Sequence, residues 1–481
     1  MERIPTHVPN LDEILHGGLP LHSTVLISGV PGSGKTILAT QIAYGNATPQ
    51  NKALMVTTVS EPLARIIQYT QQFSFFELEK VGSAVIYEDI GPLVLEGNGE
   101  KALAHVTELA LQHQPALLIV DSFKAIHDLA ESEAGLRRAL YQLAASLAAL
   151  PCTTLLVGEY VSGDLFATPE ATMVDGIIEL TNQPIGLRDH RSLRVRKLRG
   201  SDYRAGEHAF HITADGLVVF PRFVTPPTPL TYAVSAERAA TGIPGLDEML
   251  HGGLLRGTTT LVAGDPGAGK TVTALHFLLN GALQGEPGAY ISFQEDPNQL
   301  AQIARNFGFD LEALRAQGLV AMFYTSPVEL DVDEHILKIV ETIERVGARR
   351  VVIDSVSVFE AGTVRDPNRY FNYVYSLVQW FKNHGVTAML TYERSEMFGG
   401  ELVLTGTGVS HIADNAIVMR YVRIGSEMRR AITVLKARGS EHSKEVREYL
   451  ISEKEGPRVG ELIADVGFRI AEKRSAIRNP Q

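Results

Sequence analysis

The stretch Gly29-Val30-Pro31-Gly32-Ser33-Gly34-Lys35-Thr36 fits the pattern G-x-x-x-x-G-K-[ST], and Gly264-Asp265-Pro266-Gly267-Ala268-Gly269-Lys270-Thr271 fits it a second time. Each residue type in the pattern has a physical task. The glycines let successive backbone N–H groups curl around a phosphate with no Cβ in the way, the lysine neutralises the outer phosphates, and the threonine hydroxyl is placed to ligate Mg2+. Residues 24–28 and 259–263 read as buried strands entering the loops, and residues 37–44 and 272–279 as helices leaving them. A loop set between strand and helix, twice in one chain, predicts two nucleotide sites.

Working outward, a longer motif precedes each loop at the same spacing. Thr6-His7-Val8-Pro9-Asn10-Leu11-Asp12 leads to Gly17-Gly18, and Thr241-Gly242-Ile243-Pro244-Gly245-Leu246-Asp247 leads to Gly252-Gly253. A repeat this long points to a duplicated domain rather than a solenoid unit. The threonine and proline are expected to start a short helix that ends at the glycine pair. The predicted organisation is a first domain over 1–222, a proline-stiffened linker over 223–240 with no helical or strand period, a second domain over 241–460, and a charged tail over 461–481. The chain beyond Arg458 reads as a helix followed by a frayed end.

Downstream of each loop the two halves continue in parallel. Residues 53–59 and 289–293 read as inner strands that end at Ser60-Glu61 and Gln294-Glu295. Polar residues at the carboxyl end of such strands lie in the ligand crevice of an open parallel sheet, so Glu61 and Glu295 are the candidates for activating water; an ordinary helix start before Pro62 and Pro297 is the plainer alternative. Aliphatic runs then end in Asp121-Ser122 and Asp354-Ser355, and these aspartates are expected in the Mg2+ shell with Thr36 and Thr271. An intervening strand between loop and aspartate marks the RecA-like arrangement, giving an α/β fold of two tandem P-loop NTPase domains, each a mainly parallel twisted sheet flanked by helices. Further strands end at Glu159 and Glu393, placed either to sense the terminal phosphate or to pair with a nearby base. Both halves close on basic hairpins, Val195-Arg196-Lys197-Leu198-Arg199-Gly200-Ser201 and Val434-Leu435-Lys436-Ala437-Arg438-Gly439-Ser440. Basic residues alternating along a strand usually form a solvated face, but the repeat favours a phosphate-facing role.

Composition narrows the class. The chain has 481 residues, too many for one core, with 45% apolar and 21% charged residues, as in ordinary soluble proteins. A net charge of −11 speaks against a protein built to coat nucleic acid. The single cysteine, Cys152, permits no intrachain disulfide and no cysteine metal cluster, which suits the cytoplasm. Residues 140–157 are the most membrane-like stretch, but Pro151 divides them into a helix and a strand, so no membrane span is expected.

Taken together, the loops, the Thr-x-x-Pro-x-Leu-Asp lead-in and the two Lys-x-Arg-Gly-Ser hairpins resemble the KaiC family of RecA-like ATPases over nearly the whole chain. The resemblance implies ATP and Mg2+ as ligands and a double-ringed homo-hexamer with ATP between neighbouring subunits. It also implies that Lys197, Arg199, Lys436 and Arg438 reach in trans to ATP held by the next subunit. The family has two adjacent glutamates where this chain has Ser60-Glu61 and Gln294-Glu295, which leaves one carboxylate per site. Its serine/threonine autokinase acceptor pair falls on Ser410 and His411, so only Ser410 carries a hydroxyl. The tail departs from the family's, and no regulatory partner follows from it. The same core also serves DNA-dependent recombinases and motors, against which stand one Trp, no zinc cluster and the acidic balance. A nucleotide-dependent scaffold that hydrolyses nothing is the third reading.

Overall fold

The computed structural model describes residues 2–58, 63–95, 99–160, 163, 165–185, 188–225, 235–327, 331–361, 367–393, 409–452 and 455–463. Contacts divide the chain into two units between Arg222 and Phe223.

The first unit is built on nine strands: β1 (Thr24–Gly29), β2 (Ala53–Thr57), β3 (Val85–Asp89), β4 (Leu117–Asp121), β5 (Thr153–Glu159), β6 (Gly176–Ile185), β7 (Arg188–Leu198), β8 (His208–Thr213) and β9 (Gly216–Phe220). Their order in the sheet is 3-2-4-5-1-6-7-8-9. The pairs from β3 through β1 to β6 are parallel, and those from β6 to β9 are antiparallel. The second unit repeats this with β10 (Thr259–Gly264), β11 (Gly288–Ser292), β12 (Val320–Tyr324), β13 (Arg350–Asp354), β14 (Thr387–Glu393), β15 (Asn415–Ile424), β16 (Glu427–Ala437), β17 (Arg447–Ser452) and β18 (Gly456–Leu462), in the order 12-11-13-14-10-15-16-17-18. In both sheets one strand, β5 or β14, separates the loop strand from the aspartate strand. Two tandem RecA-like P-loop domains are therefore present.

The strands are apolar on both faces because helices cover both. Val25 and Ile27 join a core with Leu38 and Ile42 of the loop helix Lys35–Asn46, while Leu26 faces the opposite core with Leu103 and Val106. The second sheet is covered in the same way on its two faces. Residues 140–157 divide as expected into the end of the helix Glu133–Ala148 and β5. No helix among the described residues is long and apolar enough to cross a membrane.

Three local expectations change. The lead-in helices, Leu11–Ile14 and Leu246–Met249, are single turns that the threonine does not cap. Instead Thr6 donates from both N (2.9 Å) and Oγ1 (2.7 Å) to Asp12 Oδ1, and Thr241 does the same to Asp247. The motif thus staples a turn to its own aspartate, which explains why Thr and Asp recur together. The ends of the linker are tied down: Phe223 packs against the second unit's core, Thr225 Oγ1 lies 2.8 Å from Ser376 Oγ, and Arg238–Ala239 pairs with Leu254–Leu255. A two-residue strand is too short to show a period. Finally, residues 459–462 are strand rather than helix, because Gly456 at φ 71° turns the chain into a hairpin with β17; residues 464–481 lie outside the described residues.

Candidate nucleotide sites and the basic hairpins

Each loop's first glycine is dictated by the neighbouring strand. A Cβ on Gly29 would lie 2.2 Å from Leu180 O, and one on Gly264 would lie 2.1 Å from Met419 O. Farther along, Gly32 and Gly267 take φ of 72° and 73°, and a Cβ on Gly32 would meet nothing within 4 Å, so the backbone there borders open space. Ser33 Oγ is buried without a hydrogen-bond partner among the described residues, as a cradle shaped for an added acceptor requires. Val30, Pro31 and Gly34 complete the first loop, and Asp265, Pro266, Ala268 and Gly269 the second. Asp265 Oδ2 accepts from Tyr421 N, bracing the second loop on β15.

The lysines point back into the loops. Lys35 Nζ donates to Val30 O (2.9 Å) and lies 3.8 Å from Glu159; Lys270 Nζ donates to Gly264 O (3.1 Å) and Asp265 O (2.9 Å). Burial lowers both ammonium pKa values, while Glu159 and Asp121, or Glu393 and Asp354, act the other way. In the register, Gly29 sits opposite Glu159 and Gly264 opposite Glu393. Glu159 thus lies level with the start of the loop and pairs with a base, Lys35.

The aspartates are placed differently in the two copies. Thr36 Oγ1 donates to Asp121 Oδ2 at 2.7 Å, so two hard oxygen donors already meet, a set that suits Mg2+. Asp354 accepts from Tyr290 Oη (2.8 Å) and from Thr391 Oγ1. Sequence reasoning missed this clamp, although a tyrosine within the apolar strand 288–292 was a signal for a buried hydroxyl seeking a partner. Glu295 stands just past β11. Burial first, then Asp354 and Glu393, raise its carboxyl above the ordinary glutamate range against the pull of Lys270. Glu61 lies outside the described residues.

The basic hairpins are not brought to the loops of their own domains. Lys197 pairs with Ile177 at the level of Leu26, and Arg199 N donates to Asp175 O at the level of Thr24. The loop begins at Gly29, three residues along a parallel strand from the level of Lys197 and five from that of Arg199, about 10 Å and about 17 Å away. Lys197 Nζ instead donates to Ala171 O (3.1 Å) and Thr172 O (3.3 Å), and Arg199 Nη2 to Thr172 O (3.1 Å). In the second domain Lys436 Nζ donates to Ala413 O (2.6 Å) and Arg438 Nη2 to His411 O (3.2 Å). Burial, followed by the adjacent arginine, lowers the pKa of Lys197 and of Lys436. Ser410 falls in the turn of helix Val409–Ile412, beside His411; its side chain is outside the described set.

Strand order, loop and aspartate define the class: a RecA-like P-loop nucleotide-binding protein with two sites. Comparison with known proteins narrows that to one family. The family model for the KaiC ATPase matches residues 4–223 and again 239–462. The circadian clock oscillator protein KaiC of Rippkaea orientalis is 31% identical over 469 residues, covering 95% of this chain and 89% of that protein. KaiC 1 of Synechocystis is 31% identical over 468 residues, with the same coverage, and KaiC of Thermosynechococcus vestitus 31% over 465, covering 94% and 88%. The chain belongs to the KaiC family of ATPases.

Proposed function

We propose that the chain is a homo-hexameric ATPase in which ATP bound by one subunit is completed by cations of the next, and that hydrolysis drives conformational signalling. The observation that carries this reading is the distance between halves of the site. Within one domain the Lys-x-Arg pair lies short of the loop along the sheet, and it is held there by backbone carbonyls and by an aspartate, Asp175 at 3.5 Å from Arg199 and Asp414 at 4.0 Å from Arg438. Head-to-tail packing around a ring brings one subunit's cations to its neighbour's loop.

In this arrangement the loop N–H groups and Lys35 or Lys270 hold the outer phosphates. Thr36 with Asp121, and Thr271 with Asp354, would hold Mg2+, which neutralises phosphate oxygens as charge develops. Glu61 and Glu295 accept the proton of the attacking water, and the raised Glu295 carboxyl makes it a stronger base than an ordinary glutamate. Lys197 and Arg199, or Lys436 and Arg438, stabilise the transition state from across the interface. A second reading adds autokinase activity on Ser410, because its helical turn supplies the carbonyl, His411 O, that holds the trans-directed Arg438. Such a serine sits beside the neighbour's phosphates.

Light scattering with and without ATP and Mg2+ tests assembly: a hexamer is expected with nucleotide, and a monomer at saturating ATP and Mg2+ overturns the trans site. Intact-mass measurement after incubation with ATP tests the acceptor. Phosphate that persists in Ser410→Ala, or none in the parent, removes the kinase reading and leaves the ATPase standing.

A further inference from the structure

Glu170 is fully buried, yet it is a carboxylate. Its Oε1 accepts from His127 Nδ1 at 2.8 Å and from the Tyr160 hydroxyl, and its Oε2 has no hydrogen-bond partner among the described residues. Burying such a group costs stability that an apolar side chain would not, so its placement calls for a role beyond packing.

Three segments meet at it. His127 lies on the helix Phe123–Asp128, which begins two residues after Asp121. Tyr160 directly follows Glu159, the carboxylate 3.8 Å from Lys35 Nζ. Glu170 itself lies on the helix Pro169–Met173, whose Ala171 and Thr172 carbonyls hold Lys197 Nζ and Arg199 Nη2. Burial and then Glu170 keep the Tyr160 hydroxyl protonated and therefore a donor. Val409 occupies the position before Asp414 that Glu170 occupies before Asp175, so the second domain lacks the carboxylate.

We infer that Glu170 is a positioning residue that couples the two sites a subunit serves in the first ring: it links the Asp121 and Glu159 side of the subunit's own loop to the aim of Lys197 and Arg199 at the next subunit's ATP. This rests on the trans reading above. A chain of contacts is a route only if both ends bias it, so the test measures coupling rather than proximity.

The test is a double-mutant cycle in full-length chains carrying Glu295→Gln, so that the first domain supplies the signal. Glu170→Gln is expected to lower kcat about tenfold while KM and ATP retention change less than about twofold. In a Lys197→Ala/Arg199→Ala chain the same substitution should change nothing further. Equal losses in both backgrounds, or no loss in either, overturn the inference. Full turnover by the Lys197→Ala/Arg199→Ala chain alone refutes the trans reading, a separate outcome. Should Glu170→Gln fail to assemble with ATP, Tyr160→Phe, which removes one donor to the carboxylate, replaces it. A loss of about threefold that vanishes in the same background is expected, and a loss that persists there overturns the proposal.

Discussion

The two domains share a strand order and a loop, and they part at the aspartate on the inner strand. Asp121 meets Thr36, its expected companion at a metal; Asp354 is buried and held by Tyr290 and Thr391. The first domain has Met55 and Val157 at the places of those two hydroxyls, as the strand registers show. Two side-chain exchanges thus separate a site whose carboxylate faces its threonine from one whose carboxylate is engaged internally. The same backbone thus holds its inner aspartate with different hydrogen-bond partners in the two domains.

The largest expected effect tests what the domains have in common. Arg199→Ala and Arg438→Ala should each cut turnover in their own domain by roughly a thousandfold, the scale of a lost arginine finger, with ATP retention on filters nearly unchanged. Parallel loss of binding and turnover would assign these arginines to folding instead. Next, Glu295→Gln should lower second-domain turnover by about a hundredfold with ATP still bound; a full rate would return Glu295 to its plainer role at a helix start. The difference between the domains is sharpened by Tyr290→Phe. Freed of one donor, Asp354 should let second-domain turnover saturate at about tenfold lower Mg2+, since one buried hydrogen bond is worth about 1 kcal/mol or somewhat more. An unchanged Mg2+ titration would show that the clamp does not restrain the site.

The smallest effect is on stability. His276, on the second loop helix, is buried between Phe307 and Phe309 with Nε2 lacking a partner among the described residues, and burial pushes its pKa down to about 4 from 6.5. The corresponding Gln41 of the first domain is hydrogen-bonded to Leu217 N and His7 O and does not titrate. Because the unfolded chain takes up the proton first, the second domain should lose stability as pH falls from about 6.5 to about 4, and the first should not do so through this position. His276→Leu should flatten that slope in thermal melts; an unaltered slope assigns it elsewhere.

Much of this was legible in the sequence because it was local. The loops, the aspartate strands and the duplication follow from residue type and spacing, but the strand that separates loop and aspartate in the sheet is β5 or β14, which follows the aspartate in the chain, and not the strand that lies between them in the sequence. What the sequence could not display were pairings between distant segments. The Tyr290 and Thr391 clamp joins strands far apart in the chain, and Glu170 with His127 and Tyr160 joins three elements that carry no shared motif. The lead-in motif was visible, but its cause was not, since a threonine bound to an aspartate six residues on looks like a helix cap until the turn is seen. The C-terminal hairpin was missed because Val459 is the one aliphatic among Gly456, Pro457, Arg458, Gly460 and Glu461, too few for a strand period.

The trans site is tested most directly by mixing two disabled chains, both carrying Glu295→Gln. Lys35→Ala lacks a working first loop but keeps its basic hairpin, and Arg199→Ala keeps the loop but lacks the arginine. Each alone should be inactive in the first domain. When equal amounts are mixed and assembled with ATP, about a quarter of the interfaces pair an intact loop with an intact neighbouring arginine, and turnover should return to about a quarter of that seen with both residues intact. No recovery, in rings shown by mass to contain both chains, would contradict the account, because it would mean that loop and arginine must belong to the same subunit.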